Sequence, residues 1–157
     1  MSFQINALPE GAFAPLFSLS DEELKAVGGV RQTVDQCPGT PCRVSLEDAA
    51  VGETVILIHY EHQPANAPYR ASHAIFVRNG VTQAVVPEGA VPELFLHRLI
   101  SVRAFDGDDM MVGAEVVQGT ELKAAIERHF ANREAAYLHL HYAAPGCFAA
   151  SVTRVAS

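Results

Sequence analysis

The sequence predicts an α+β fold in which about three helices pack on a largely antiparallel sheet of about six to eight strands. Segments rich in β-branched and aromatic residues outnumber the segments with helical spacing. Most connections between them are too short for the crossover that joins two parallel strands. At 157 residues the chain has the length of one domain, and we expect residues 1–157 to form one.

The first predicted elements are a short strand and two short helices. Residues 3–8 alternate as a strand does, and a helix can follow over residues 9–17. Ser20-Asp-Glu-Glu23 has the pattern of a capping box, because the Ser20 hydroxyl can accept from a free backbone amide and Glu23 can reciprocate. The helix that follows should end at Gly28-Gly29, since glycine adopts the left-handed conformation of a helix C-cap.

Two strands and two loops are predicted next. Residues 30–35 have strand character and lead into Cys37-Pro-Gly-Thr-Pro-Cys42, where two prolines exclude regular structure. Residues 54–60 are mostly apolar without alternation, which predicts a central strand covered on both faces. Residues 61–68 hold two prolines and are expected to form a loop.

The strongest local signal is a hairpin turn. Residues 72–78 and 81–86 flank Asn79-Gly80, the dipeptide that best fits a type I′ turn. We therefore expect these two segments to pair with each other as strands.

The chain from Pro92 onwards is predicted to add two helices and two strand pairs. Pro92 suits the first position of a short helix that ends near Leu99. Apolar residues between positions 120 and 131 recur at three-four spacing, which predicts an amphipathic helix. The strand pairs are residues 101–105 with 110–117, and residues 137–142 with 148–155.

The composition excludes several classes of protein. Apolar residues make up 49% and charged residues 18% of the chain, which excludes intrinsic disorder. The 11 basic residues form no cluster and face 18 acidic ones, so we expect no nucleic-acid partner. The longest dense apolar run, residues 55–58, is far shorter than the ~20 residues of a membrane span. The first residues lack the pattern of a secretory signal, so we expect a cytoplasmic protein with reduced cysteines and no membrane association.

Motifs for nucleotide cofactors and for a serine nucleophile do not occur. The sequence contains no Gly-x-Gly-x-x-Gly, no P-loop and no Gly-x-Ser-x-Gly. It therefore predicts no cofactor.

The first candidate site lies where the apolar strand ends. Tyr60-Glu61-His62 leaves that strand, and Tyr69-Arg70 returns after the loop. Arg70 can bind an anion with its two-pronged guanidinium, and His62 or Glu61 can transfer a proton. The alternative is a surface loop in which Glu61 merely pairs with Arg70.

A second candidate site is Leu138-His139-Leu140-His141. Alternation along a strand places His139 and His141 on one face, where two imidazoles can bind a metal ion. A metal site needs three or four ligands, and the further candidates are His59, His62, His73 and Cys147. Two histidines on a solvated sheet face are the alternative.

Cys147 is a candidate nucleophile with His141 as its base. The strand register decides between two arrangements. If His141 lies opposite Cys147, the two side chains share a face and can meet. If Tyr142 pairs with Cys147, His141 points to the other face. A small buried apolar residue is the alternative role of Cys147.

Five motifs occur in the same order as in one known family. They are Cys37-Pro-Gly-Thr-Pro-Cys-Arg-Val-Ser-Leu46, Gly52-Glu53, Tyr60-Glu-His-Gln-Pro64, Pro68-Tyr-Arg-Ala-Ser72 with Ile75-Phe-Val-Arg78, and Pro145-Gly-Cys-Phe-Ala-Ala150. On these motifs, which span nearly the whole chain, the sequence resembles a family of small bacterial proteins, domain of unknown function 1203. The resemblance implies a stand-alone bacterial protein and assigns no catalytic residue. His141 and Cys147 match that family's usual residues, whereas His73 and Tyr142 depart from them.

Our leading hypothesis is a pocket that binds a small anionic molecule, with enzymatic turnover as its extension. The predicted catalytic residues are His62, Glu61 and Cys147, and the predicted ligand-binding residues are Arg43, Tyr60, Tyr69, Arg70 and His141. Two alternatives stay open: a non-catalytic protein whose polar loops serve homodimerisation or partner binding, and a metal-binding protein that uses His139 and His141.

Overall fold

The structure is a computed structural model that describes residues 2–156. Within that range the chain forms eight strands, three α-helices and three short 3₁₀ helices. The strands are β1 (Ser2–Asn6), β2 (Gly29–Thr33), β3 (Thr54–Gln63), β4 (Ala71–Arg78), β5 (Leu99–Phe105), β6 (Met111–Gln118), β7 (Tyr137–Tyr142) and β8 (Phe148–Val155). The α-helices are α1 (Asp21–Ala26), α2 (Glu93–Leu96) and α3 (Leu122–Ala131), and the 3₁₀ helices are Glu10–Ala12, Ala14–Ser18 and Gly119–Glu121.

The strands are divided between two sheets. The larger sheet has the order β1-β8-β7-β5-β6, the smaller one has the order β2-β3-β4, and their strand pairs are antiparallel. This arrangement confirms the predicted α+β fold with antiparallel pairing. None of the helices in the described range is long and apolar enough to cross a membrane.

One face of the larger sheet packs against α3. The helix contributes buried apolar side chains at three-four spacing, and Leu138 and Leu140 of β7 belong to the same core. Because side chains alternate along a strand, His139 and His141 lie on the opposite face of β7. That face is in contact with β3, since the His62 ring lies beside both imidazoles.

The predicted loop over residues 61–68 is wrong at its start. Strand β3 continues through Gln63, so that Glu61 and His62 are strand residues. Glu61 pairs with Ser72 of β4, and a bulge separates this pair from that of Gln63 with Ala71. Strand β3 therefore ends just before the first of the two prolines, later than predicted. The loop between β3 and β4 is correspondingly shorter.

The predicted hairpin around Asn79-Gly80 is also wrong. The turn is present and Gly80 has a φ of 70°, but residues 81–86 form no strand. Strand β4 pairs with β3 on one edge, and on its other edge the Arg43 amide donates to the Phe76 carbonyl. Because both edges of β4 are engaged there, residues 81–86 bond elsewhere, with the Ala84 amide donating to the Val44 carbonyl.

The helical predictions hold best where the signal is local. The Ser20 capping box is present: Ser20 Oγ accepts from the Glu23 amide and Glu23 Oε2 accepts from the Ser20 amide. The predicted helix at Pro92 is shorter than expected, because Leu99 already belongs to β5. The helix predicted over residues 9–17 is present as two short 3₁₀ helices, Glu10–Ala12 and Ala14–Ser18.

Candidate functional site

Strands β5 and β7 bring a guanidinium beside two imidazoles. In the antiparallel register, Arg103 lies opposite His139, and Ser101 lies opposite His141. Side chains directly opposite each other on neighbouring strands share one face of the sheet. The helix-free face of the larger sheet therefore carries a row of polar groups between its apolar neighbours.

His62 completes a cluster of three imidazoles. Its ring centroid lies 5.0 Å from that of His141 and 6.1 Å from that of His139. His62 lies at the bulge near the end of β3, and its ring stacks on that of Phe148 in the larger sheet. The two sheets thus meet at this cluster.

The cluster opens into a cleft of about 270 Å³, which we call the imidazole cleft. Its lining residues are His62, Gln63, Pro68, Tyr69, Arg70, Ala71, Arg103, Phe105, Met111, His139 and His141. At its edge the Tyr137 hydroxyl donates to Asp109 and accepts from Gln63. Burial and the Asp109 carboxylate raise the pKa of Tyr137 to about 12, so this hydroxyl stays protonated.

The three imidazoles are neutral at pH 7. Burial, reinforced by the positive charge of Arg103, lowers the pKa of His62 and of His139 to about 4. Burial lowers the pKa of His141 to about 3. The Nδ1 atom of His141 lies 2.9 Å from the Gly146 carbonyl oxygen, so in the neutral ring Nδ1 carries the proton. The Nδ1 atoms of His62 and His139 are buried without a hydrogen-bond partner in residues 2–156.

Arg103 supplies the cleft with a charge that no carboxylate balances. Its Nε donates to Ser101 Oγ at 3.2 Å, and it makes no ion pair within the described residues. Arg70, by contrast, pairs with Glu61 at 3.1 Å, and both side chains are largely exposed. Burial lowers the pKa of Arg103 without removing its charge at neutral pH.

The imidazole cluster does not assemble the metal ligands considered from the sequence. Of the four further candidates, His62 alone has a ring contact with His139 or His141 in the described part of the chain. His59 is exposed. Across residues 2–156, no group of three or more His, Cys, Asp or Glu side chains is arranged to hold a metal ion.

The strand register separates Cys147 from His141. His141 pairs with Phe148, and the Tyr142 amide donates to the Cys147 carbonyl at 3.0 Å. His141 therefore points into the imidazole cleft, while Cys147 lies with Tyr142 on the other side of the strand. Of the two arrangements open from the sequence, this one excludes His141 as a base for Cys147.

Cys147 meets Arg43 instead. Arg43 is 1% exposed, and its Nη2 lies 3.0 Å from Cys147 Sγ. Both residues line a second cavity of about 490 Å³, which we call the Arg43 cavity. The Cys37–Cys42 motif region and the Pro145–Cys147 segment, far apart in sequence, come together at this cavity.

The structure thus divides the residues predicted to act together. His62, Tyr69, Arg70 and His141 line the imidazole cleft, whereas Arg43 and Cys147 line the Arg43 cavity. Tyr60 lines neither and packs between Phe13 and Phe148, and Glu61 is exposed in its pair with Arg70.

Arg103 is the main functional candidate that the sequence did not single out. A signal was present, because Ser101 and Arg103 alternate with apolar residues on a strand. Ser101 and Arg103 become part of the candidate site only because β5 pairs with β7, and no local sequence pattern specifies that pairing.

A family model described as "Protein of unknown function (DUF1203)" matches residues 39–154. The matched region contains every residue that lines the imidazole cleft or the Arg43 cavity. No curated protein and no solved structure matches the chain.

Proposed function

The chain belongs to the DUF1203 family of proteins of unknown function, and we propose that it binds a small anionic molecule in the imidazole cleft. The observation that carries the proposal is the half-buried guanidinium of Arg103, which has no carboxylate partner in residues 2–156. A charge removed from water is costly unless a counter-charge accompanies it. A bound anion supplies that counter-charge.

The other groups of the cleft suit the same ligand. Arg70 lines the cleft, and its pair with Glu61 is exposed, so exchanging this carboxylate for a ligand anion costs little. A guanidinium binds a carboxylate or a phosphate group through two parallel N–H donors. The volume of about 270 Å³ limits the ligand to a few heavy atoms around that group.

Enzymatic turnover is the second part of the proposal. A general base must be unprotonated before it can accept a proton, and a neutral imidazole meets that requirement. His62 and His139 each have an Nδ1 atom without a hydrogen-bond partner in the described residues. We assign His62 the role of base, because it lines the cleft and is only half-buried, whereas His139 is buried. Glu61 would then act only through Arg70, as its ion-pair partner.

Binding can be tested by following the histidine ring signals in an NMR titration with inorganic phosphate and, separately, with succinate. We expect the signals of His62, His139 and His141 to shift on titration, whereas the exposed His59 signal does not. Arg103→Met retains much of the side chain's apolar stem and should abolish the shifts. The exposed Arg133→Ala variant is the matched control and should behave as wild type.

The outcomes separate the proposal from its rivals. If neither anion shifts the three signals in a folded protein, the proposal is wrong, and the result supports the non-catalytic, partner-binding alternative. If the shifts persist in Arg103→Met, Arg103 is not the group that binds the anion, and the proposal fails at the observation that carries it. Arg70→Ala should weaken binding while leaving the melting temperature nearly unchanged, because Arg70 is exposed.

A further inference from the structure

The Arg43 cavity differs from the imidazole cleft in its walls. It is lined mainly by apolar residues, among them Pro41, Phe76, Leu99 and Pro145. Its volume of about 490 Å³ falls within the range of cavities that enclose small organic ligands. A ligand that fills it must therefore present a largely apolar surface.

Arg43 places an unbalanced positive charge against these walls. Its guanidinium donates to the carbonyls of Pro41 and Phe148 and to the sulfur of Cys147. It makes no ion pair within residues 2–156, although it is 1% exposed. Three of its five N–H groups have these acceptors, and the other two have none among the described residues.

The second arginine of the cavity shows the contrast. Arg98 forms a two-pronged ion pair with Asp48, at 2.5 and 2.9 Å. Its charge is therefore balanced by the protein, whereas the charge of Arg43 is not. A ligand with one negative charge would balance the charge of Arg43.

Tyr142 adds a hydroxyl to the same cavity. Both guanidinium groups lie against its ring, with the Cζ atom of Arg43 at 4.9 Å and that of Arg98 at 5.4 Å from the ring centroid. The hydroxyl has no hydrogen-bond partner in the described residues. Burial raises the pKa of Tyr142, so this group stays protonated and can donate.

We propose that the Arg43 cavity is a second binding site, which takes a monocarboxylate with an apolar body. The carboxylate would accept from Arg43 and Tyr142, and the hydrocarbon part would lie against Pro41, Phe76 and Leu99. The site does not depend on the imidazole cleft, because the two cavities share no lining residue.

Octanoate is the probe for this site, with 1-octanol as its uncharged counterpart. In calorimetric titrations we expect octanoate to bind the wild-type protein, and 1-octanol to bind at least about tenfold more weakly. Leu99→Glu places a like charge at an exposed lining position and should weaken octanoate binding by a similar factor without unfolding the chain. Arg43→Met should abolish it. If that variant fails to fold, Leu99→Glu carries the test.

Arg103→Met separates this proposal from the first one. It removes the cation of the imidazole cleft and should bind octanoate as tightly as the wild type does. The proposal is overturned if octanoate does not bind, if 1-octanol binds equally well, or if Arg103→Met loses binding while Leu99→Glu retains it.

Discussion

The ring of Phe148 stacks on the imidazole of His62, with centroids 5.3 Å apart and planes 9° apart. The carbonyl of the same residue accepts from Arg43 Nε at 2.8 Å. Phe148 therefore contacts the imidazole cleft through its side chain and the Arg43 cavity through its backbone. A change to the ring alone should disturb the first site and spare the second.

Phe148→Leu tests this division. The variant keeps an apolar core residue but loses the stacking partner of His62, and we expect a cost of about 1–2 kcal/mol in the free energy of unfolding. The NMR signals of the three clustered histidines should move. Binding of octanoate should stay as in the wild type, because the Phe148 carbonyl remains. Loss of octanoate binding in a folded variant would show that the two sites are not separable at this residue.

The clustered histidines should make stability depend on pH. The folded-state pKa of His139 is about 4 and that of His141 about 3, both below the ordinary value of 6.5. Below pH 6.5 the unfolded chain binds protons that the folded chain does not, so the free energy of unfolding falls as pH falls from 6.5 towards 4. The loss is on the order of 3 kcal/mol for an imidazole as buried as His139.

Urea unfolding at several pH values measures this dependence. His139→Gln should reduce the slope between pH 6.5 and 4, whereas substitution of the exposed His59 by glutamine should leave it unchanged. Equal slopes in both variants would mean that the buried cluster does not titrate as described.

Arg43 should contribute far more to stability than Arg70 does. Arg43→Ala leaves the buried carbonyls of Pro41 and Phe148 without their donor and opens a void, so we expect a loss of about 3–5 kcal/mol. Arg70→Ala breaks only an exposed ion pair and should cost at most about 1 kcal/mol. Denaturant unfolding of the two variants compares them directly, and equal losses would contradict the buried position of Arg43.

Local patterns in the sequence predicted much of the larger sheet. On a strand, the Leu-His alternation of residues 138–141 places the two leucines on one face and the two histidines on the other. Strands β7 and β8 have the bounds that the sequence predicted. The capping box at Ser20 is satisfied within four residues and was predicted for that reason. An element whose structure depends only on neighbouring residues can therefore be predicted from the sequence.

Pairing between distant segments could not be predicted in the same way. The Asn79-Gly80 turn favours a hairpin, but the segment at Cys42 and Arg43 already bonds to the free edge of β4. Likewise, Arg103 lies opposite His139 only because β5 pairs with β7. Both outcomes depend on tertiary contacts, which override local propensity.

Tyr137 should stabilise the edge of the imidazole cleft through its hydroxyl. That group donates to Asp109 and accepts from Gln63 at 2.8 Å. Tyr137→Phe leaves both partners unpaired and should cost about 1–2 kcal/mol. Tyr69→Phe is the matched control, because Tyr69 is 37% exposed and no hydrogen bond holds its hydroxyl in the described residues. A negligible effect of Tyr137→Phe in urea unfolding would show that its hydrogen bonds add nothing to stability.

The three cysteines should differ sharply in their reaction with thiol reagents. Cys37 is exposed, whereas Cys42 and Cys147 are buried, and all three are free thiols. A disulfide-exchange reagent should therefore modify one thiol rapidly in the native protein and the other two only in urea. Cys37→Ser should remove the rapid phase.

A rapid phase that remains in that variant, and that mass spectrometry assigns to Cys147, would contradict this prediction. It would mean that the Arg43 cavity admits the reagent and that Cys147 is reactive in the folded chain. Suppression of this phase by octanoate would then report occupancy of the cavity directly.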